Sequence, residues 1–222
     1  MEYNPAPVGK VDISTLFTPV VTIYLIAASL VSLFCNSGFA SHLILSADNI
    51  QSLKIWTLLT YTFFHCGFLQ YGINVVIFLL IGHYVEKEMG RAPFCLFLAV
   101  VSILSGLAWV IVSAAIGHPE AIMLGANCLC YAMIIAYGFI RRKSLMMLPG
   151  TTIKMNVMQV MIICLVISAL LQITYPLFLV MFSGAIWGYL YMLIWKKFHN
   201  KRMGYVKPKE QKKQYNGFID ID

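Results

Sequence analysis

The stretch MLGANCLCYAMIIAYG, residues 123–138, decides how the rest of the chain is interpreted. Two glycines bracket an apolar run that is long enough to form most of a membrane-spanning helix. An amide, Asn127, and two thiols, Cys128 and Cys130, lie near its start. Hydrocarbon offers a polar side chain no hydrogen-bond partner, so an amide at this place indicates a packing contact or a functional site.

The composition around this run is that of an integral membrane protein. Of the 222 residues, 60% are hydrophobic and 11% are charged, and the mean hydropathy is +0.79. Soluble domains are about 45–50% apolar and about 25% charged. We therefore predict an all-α, multi-pass membrane protein with six spans. These cover residues 16–35, 68–85, 92–117, 125–140, 156–172 and 177–195.

The basic residues predict the orientation, because cytoplasmic loops are rich in Lys and Arg. With both termini in the cytoplasm, 15 of the 16 basic residues lie inside and only Lys54 lies outside. The net charge of +7 is thus a topology signal and not an indication of nucleic-acid binding. The compact form favours a bacterial inner membrane.

Three segments follow from this topology. We expect a cytoplasmic segment at residues 1–15, a transmembrane domain at 16–196 and a basic cytoplasmic tail at 197–222. The tail is either solvated or in contact with anionic lipid.

The segment between the first two spans is mixed rather than uniformly apolar. It carries aromatic residues such as Trp56 and Tyr61, yet polar residues interrupt it too often for a seventh span. We predict an amphipathic first loop embedded in the outer leaflet. Cys35 and Cys66 flank this loop, and whether they pair is open.

Several motifs then follow one another in order. IWTLLTYTFFHCGFLQYGIN (55–74) enters the second span, HYVEKEMGRAPF (83–94) forms an elbow, GAN (125–127) opens the fourth span, and SGAIWG (183–188) lies in the sixth. This order resembles the rhomboid family of intramembrane serine proteases over about residues 16–196. The resemblance implies six helices around a water-filled cavity, with a nucleophilic serine atop the short fourth helix and a histidine base on the sixth.

The catalytic positions depart from that pattern. Asn127 stands where the family has serine, and Met181 stands where it has histidine. This does not depend on how the helices are aligned. Residues 114–143 contain no serine, and residues 119–198 contain no histidine. A hydroxyl needs an adjacent base to become a useful nucleophile, so the serine–histidine dyad is absent.

The resemblance also implies the lining of the former active site. His65 and Asn74 are kept, whereas Gln70 replaces a second histidine; Gly125 and Cys128 complete this former oxyanion and cavity region. The polar residues either line a cavity that binds a client's backbone or form hydrogen bonds between helices. Both interpretations stay open.

Three further residues are assigned to helix packing. Gly184 and Gly188 form a GxxxG motif, which we expect to pack the sixth helix closely against the fourth. Glu86, retained in the elbow, is expected to form a structural hydrogen-bonding pair with His83 near the inner face.

The sequence thus predicts a catalytically inactive pseudoprotease. Inactive relatives in the family bind transmembrane clients, and we expect such clients here. The alternative is an active intramembrane endopeptidase, serine-type or assisted by Cys128 or Cys130 with His65 as a base. A solute carrier is disfavoured, because the last three spans contain no evident charged residue. We expect no metal, cofactor or nucleic-acid partner, and the oligomeric state is open.

Overall fold

The structure is a computed structural model that describes residues 16–34, 37–65, 67–118, 121–141, 145–147, 154–171 and 178–202. The predicted N-terminal segment and residues 203–222 of the predicted tail lie outside the described residues. So do Cys35 and Cys66, whose pairing therefore stays open.

The described chain is mostly helical, and a helix occupies each of the six apolar runs. In chain order the helices are α1 (Pro19–Phe34), α2 (Ser37–Ala40), α3 (Ala47–Gln51), α4 (Thr57–Thr60), α5 (Phe68–Ile77), α6 (His83–Met89), α7 (Arg91–Ala115), α8 (Asn127–Ile140), α9 (Val157–Leu171), α10 (Phe178–Met181) and α11 (Ser183–Arg202).

Two helical segments among the described residues are long and apolar enough to cross a membrane. One is Phe68–Met89, in which the π-helical turn Phe78–Gly82 joins α5 to α6, and the other is α7. The six-span count remains a prediction.

Two details differ from the sequence interpretation. The predicted span 177–195 is divided, because a turn at Phe182 separates α10 from α11. The amide of Ala185 donates to the carbonyl of Phe182 at 2.9 Å across this turn. The chain is also not purely helical. Two small antiparallel sheets are present, β1 (Leu45–Ser46) with β2 (Ile122–Met123) and β3 (Leu145–Met147) with β4 (Lys154–Asn156).

The first loop is a series of short helices and turns held by polar contacts. The Asn49 side chain donates to the carbonyls of Ser41 and Ile44 at 2.8 and 2.9 Å, and accepts from Lys54 at 3.0 Å. Trp56 is half-exposed. This polar bracing explains how a segment with many apolar residues folds without forming a long helix.

Helix α8 lies at the centre of the fold. Every residue from Cys128 to Ala136 is buried, and α8 packs against α11, α9, α7 and α6. A helix that is apolar on all sides requires such a position, because it has no face suited to water. The residues at the start of α8 are therefore enclosed by the neighbouring helices.

Candidate functional site: the start of helix α8

The segment before α8 is fixed by the first loop. Strand β2 pairs with β1 of that loop, and the amide of Gly125 donates to the carbonyl of Tyr61 at 3.1 Å. Helix α8 then begins at Asn127. These contacts fix the position of the first turn of α8 relative to the first loop.

Asn127 and Met181 meet at this point. The side-chain Nδ2 of Asn127 donates to the sulfur of Met181 across 3.6 Å. A thioether sulfur is a weak hydrogen-bond acceptor. The structure thus brings together the two residues that the sequence analysis assigned to the lost nucleophile and the lost base, although 54 positions separate them in the chain.

The GxxxG motif explains why these two residues are so close. A Cβ added at Gly184 would collide with the backbone of Cys128, and one added at Gly188 would come within 2.8 Å of the Ala132 Cα. The backbones of α11 and α8 are therefore in direct contact, as small residues allow. Met181 immediately precedes this contact, so its side chain reaches the first turn of α8.

Gln70 covers the segment in front of Asn127. Gly125 has a φ of +99°, and a Cβ built there would lie 2.6 Å from the Gln70 Nε2. Only glycine combines that backbone angle with so close a side chain. Gln70, Gly125 and Asn127 are therefore close together at the start of α8.

Asn74 lies one helical turn beyond Gln70 and is buried. Its Oδ1 accepts a hydrogen bond from the Cys130 thiol at 3.3 Å, while its Nδ2 is buried with no hydrogen-bond partner among the described residues. An unsatisfied buried donor costs about 1–3 kcal/mol. The π-helical turn Phe78–Gly82 follows directly, and such turns are frequent at functional sites.

The two thiols at the start of α8 both form hydrogen bonds with neutral polar side chains. Cys128 lies 3.1 Å from the Tyr61 hydroxyl, which also hydrogen-bonds to the Ser102 carbonyl at 3.2 Å. Either group of the Cys128–Tyr61 pair can be the donor, whereas the Cys130 thiol donates to the Asn74 Oδ1. The thiolate is the nucleophilic form of cysteine, and these hydrogen-bond partners include neither a cation nor a histidine.

His65 lies above α5, in the loop that enters it. Its ring packs edge-on against Tyr71, with 5.2 Å between the ring centroids. Burial lowers the pKa of His65 below its usual value, so the ring is neutral near neutral pH. The described ring contact of His65 is therefore with Tyr71, whereas the hydrogen-bond partners of Cys128 and Cys130 are Tyr61 and Asn74.

Glu86 lies away from this site, at the start of α1. Its two carboxylate oxygens accept hydrogen bonds from the amides of Val20 and Val21, each at 3.1 Å, and the residue is 3% exposed. These amides belong to the first turn of α1, where they have no partner within the helix. Glu86 therefore caps α1 and ties it to α6.

Some of these partners were not anticipated from the sequence. The aromatic residues of the first loop, Tyr61 among them, were expected in the outer leaflet, and nothing in the sequence indicated that the Tyr61 hydroxyl meets Cys128. The expected pairing of Glu86 with His83 is wrong, because the amides of α1 take both carboxylate oxygens and His83 Nδ1 hydrogen-bonds to the Leu79 carbonyl within its own helix. Among the described residues, no cluster of His, Cys, Asp or Glu is suited to a metal ion.

Comparison with known families agrees with this geometry. The Rhomboid domain family model matches residues 52–198, well over half of the chain. The chain therefore belongs to the rhomboid family, and it is a rhomboid-like membrane protein. A search of curated proteins finds no match to it.

Proposed function

We propose that this rhomboid-like protein is a pseudoprotease, which binds transmembrane clients in its former active site without cleaving them. The observation that carries the proposal is the hydrogen bond between Asn127 and Met181. An amide nitrogen is not a nucleophile at neutral pH, and a thioether does not remove a proton. A pair with these groups lacks both functions of a catalytic dyad.

The surroundings of the two thiols support the same conclusion. A cysteine hydrolase requires a thiolate, which is formed next to a cation or a base. Cys128 instead contacts the Tyr61 hydroxyl and Cys130 donates to the Asn74 amide oxygen, and both partners are neutral groups. Neither thiol is therefore prepared for attack on a peptide bond.

Client binding is supported by the polar group that remains. The Asn74 Nδ2 is a buried donor without a partner among the described residues, and a client's backbone carbonyl would satisfy it on entering between α5 and α8. The neighbouring face of α5 is apolar and exposed at Leu69 and Ile73. A client helix that packs on this face would lie next to Asn74.

The proposed setting is a bilayer that six helices cross, with both termini in the cytoplasm. The basic residues support this orientation, since it leaves only Lys54 outside. A bacterial inner membrane is the proposed location.

Site-specific photocrosslinking tests the client role. A photoreactive residue at Ile73 on α5 is compared with one at Ile111 on α7, because both positions are exposed apolar helix sites. We expect intact membrane proteins to crosslink at Ile73 and not at Ile111. The same weak pattern at both positions, or crosslinked partners that are cleaved within the membrane, would contradict the proposal.

A further inference from the structure

The π-helical turn Phe78–Gly82 interrupts the α-helical hydrogen bonds of the segment Phe68–Met89. Across this turn the amide of His83 donates to the carbonyl of Phe78, five residues earlier. In an α-helix the same amide would donate to the carbonyl of Leu79, four residues earlier. The π-helical turn therefore leaves the Leu79 carbonyl without its ordinary backbone donor.

The ring of His83 replaces that donor. Its Nδ1 forms a hydrogen bond with the Leu79 carbonyl, and the residue is 1% exposed. A carbonyl oxygen only accepts, so Nδ1 carries the proton. An unpaired backbone carbonyl is costly within a membrane, so the side chain of His83 stabilises the π-helical turn relative to an unassisted one.

Neighbouring helices hold both ends of this turn. The ring of Phe78 is fully buried and stacks on Tyr24 of α1, with 4.3 Å between the ring centroids. A Cβ added at Gly82 would lie 3.1 Å from the Met133 sulfur of α8 and 3.3 Å from Val21 of α1. Both ends of the turn are therefore fixed by packing.

Helix α6, which follows the turn, is held in one orientation. Glu86 binds the amides of Val20 and Val21, and Val85 is fully buried. A change of helix type at Phe78–Gly82 would therefore rotate α5 and leave α6 in place.

Helix α5, which precedes the turn, has two unlike faces. Asn74 is buried against α8, where its Oδ1 accepts a hydrogen bond from the Cys130 thiol at 3.3 Å. Ile73, the preceding residue, is 53% exposed. The rotation of α5 therefore determines which side chain meets α8 and which one faces outward.

The π-helical turn sets this rotation. It contains one more residue than the α-helical turn that it replaces. Each residue of an α-helix corresponds to a rotation of roughly 100° and a rise of about 1.5 Å. If the turn became α-helical while α6 stayed in place, Val75 would take the position of Asn74 opposite Cys130. An apolar side chain would then replace the amide at this contact.

We propose that His83 is a positioning residue for the client site: by holding the π-helical turn, its ring sets the rotation of α5 that places Asn74 against α8. The role of Asn74 rests on the proposed function, whereas the rotation of α5 does not. His83 lies nine residues from Asn74 in the chain and acts on it only through the helix.

Disulfide mapping between α5 and α8 measures this rotation without any client. One cysteine is introduced as Asn74→Cys or Val75→Cys, and copper phenanthroline oxidises the full-length protein in membranes. Peptide mass spectrometry then detects pairing with Cys130. With His83 present, we expect pairing from position 74 to exceed that from position 75 at least about fivefold, because a disulfide requires side chains that point at each other.

Variants of His83 and of the turn then test the cause. His83→Leu removes the donor and should reverse the ratio, so that position 75 pairs in preference to position 74. His83→Asn is the matched control, because its Nδ2 is a donor at the same distance along the side chain, and it should keep the original ratio. Deletion of Leu80, a half-exposed residue within the turn, removes the additional residue. His83→Leu with Leu80 deleted should therefore pair from position 74 again.

The deletion keeps the test decisive even where His83→Leu alone does not fold. Pairing that stays at position 74 in a folded His83→Leu protein, or failure of the Leu80 deletion to restore pairing at position 74, would overturn the proposal. Client crosslinking at Ile73 is a separate measurement. If it fails while the disulfide ratios change as expected, the proposed function is wrong and the control of α5 by His83 stands.

Discussion

The Asn127 side chain donates a hydrogen bond to the Met181 sulfur across 3.6 Å, which joins the first turn of α8 to the end of α10. An intramembrane serine protease needs a nucleophile and a base at such a distance from each other. The glycines of α11 keep Met181 close to α8. The side chains of Asn127 and Met181, however, supply neither a nucleophile nor a base. The two positions therefore lie as close together as a catalytic dyad requires, but they carry an amide and a thioether.

Loss of the Glu86 cap should destabilise the fold. Glu86→Ala leaves the amides of Val20 and Val21 buried without their acceptor, at an expected cost of about 1–3 kcal/mol. Thermal unfolding in detergent measures this. The control is Glu88→Ala, since Glu88 forms an exposed ion pair with Arg141 at 3.7 Å and should cost less than about 1 kcal/mol. Equal shifts for both variants would show that the cap contributes no specific stability.

The contact between α11 and α8 should not tolerate even one methyl group. Gly184→Ala and Gly188→Ala each place a Cβ against the backbone of α8, and we expect each to lower the unfolding free energy by about 1–3 kcal/mol. Gly72→Ala is the matched control, because a Cβ there has nothing within 4 Å. Wild-type stability in the Gly184 and Gly188 variants would exclude close packing at this interface.

Substitution of Gly125 should lower the unfolding free energy for two separable reasons. Gly125→Ala introduces a Cβ at a φ of +99° and against Gln70, so we expect a loss of about 1–3 kcal/mol. Adding Gln70→Ala removes the steric conflict but not the backbone strain. The double variant should therefore recover only part of the loss in the same unfolding measurement. Complete recovery would show that the backbone angle costs nothing.

The topology prediction is tested by reporter fusion. A reporter fused after Asp222 should behave as cytoplasmic, and one inserted in the first loop near Ser52 should behave as external. The reason is that this orientation leaves only Lys54 outside. An external reporter at the C-terminus would contradict the six-span arrangement.

Local patterns in the sequence identified the helical runs, but contacts between residues distant in the chain were harder to predict. The proximity of Asn127 and Met181 was anticipated from the resemblance to the rhomboid family, because Asn127 stands at its serine position and Gly184 and Gly188 match the small-residue pattern that puts Met181 at its histidine position. The cap by Glu86 was not, since 65 positions separate it from Val21 and no local pattern names its partner. Nor was the pairing of β1 with β2, because two-residue strands leave no periodic signal.

The most direct test of the pseudoprotease assignment is labelling with a fluorophosphonate, which requires an activated serine. Wild-type protein and Asn127→Ser should both remain unlabelled, since an unassisted hydroxyl is not a useful nucleophile. Asn127→Ser/Met181→His restores a nucleophile and a base on adjacent helices, and general-base assistance of about 10²–10⁴-fold should give weak but detectable labelling. Cys128 and Gln70 would keep it weak, because both depart from the family pattern. Labelling of the wild-type protein would contradict the account.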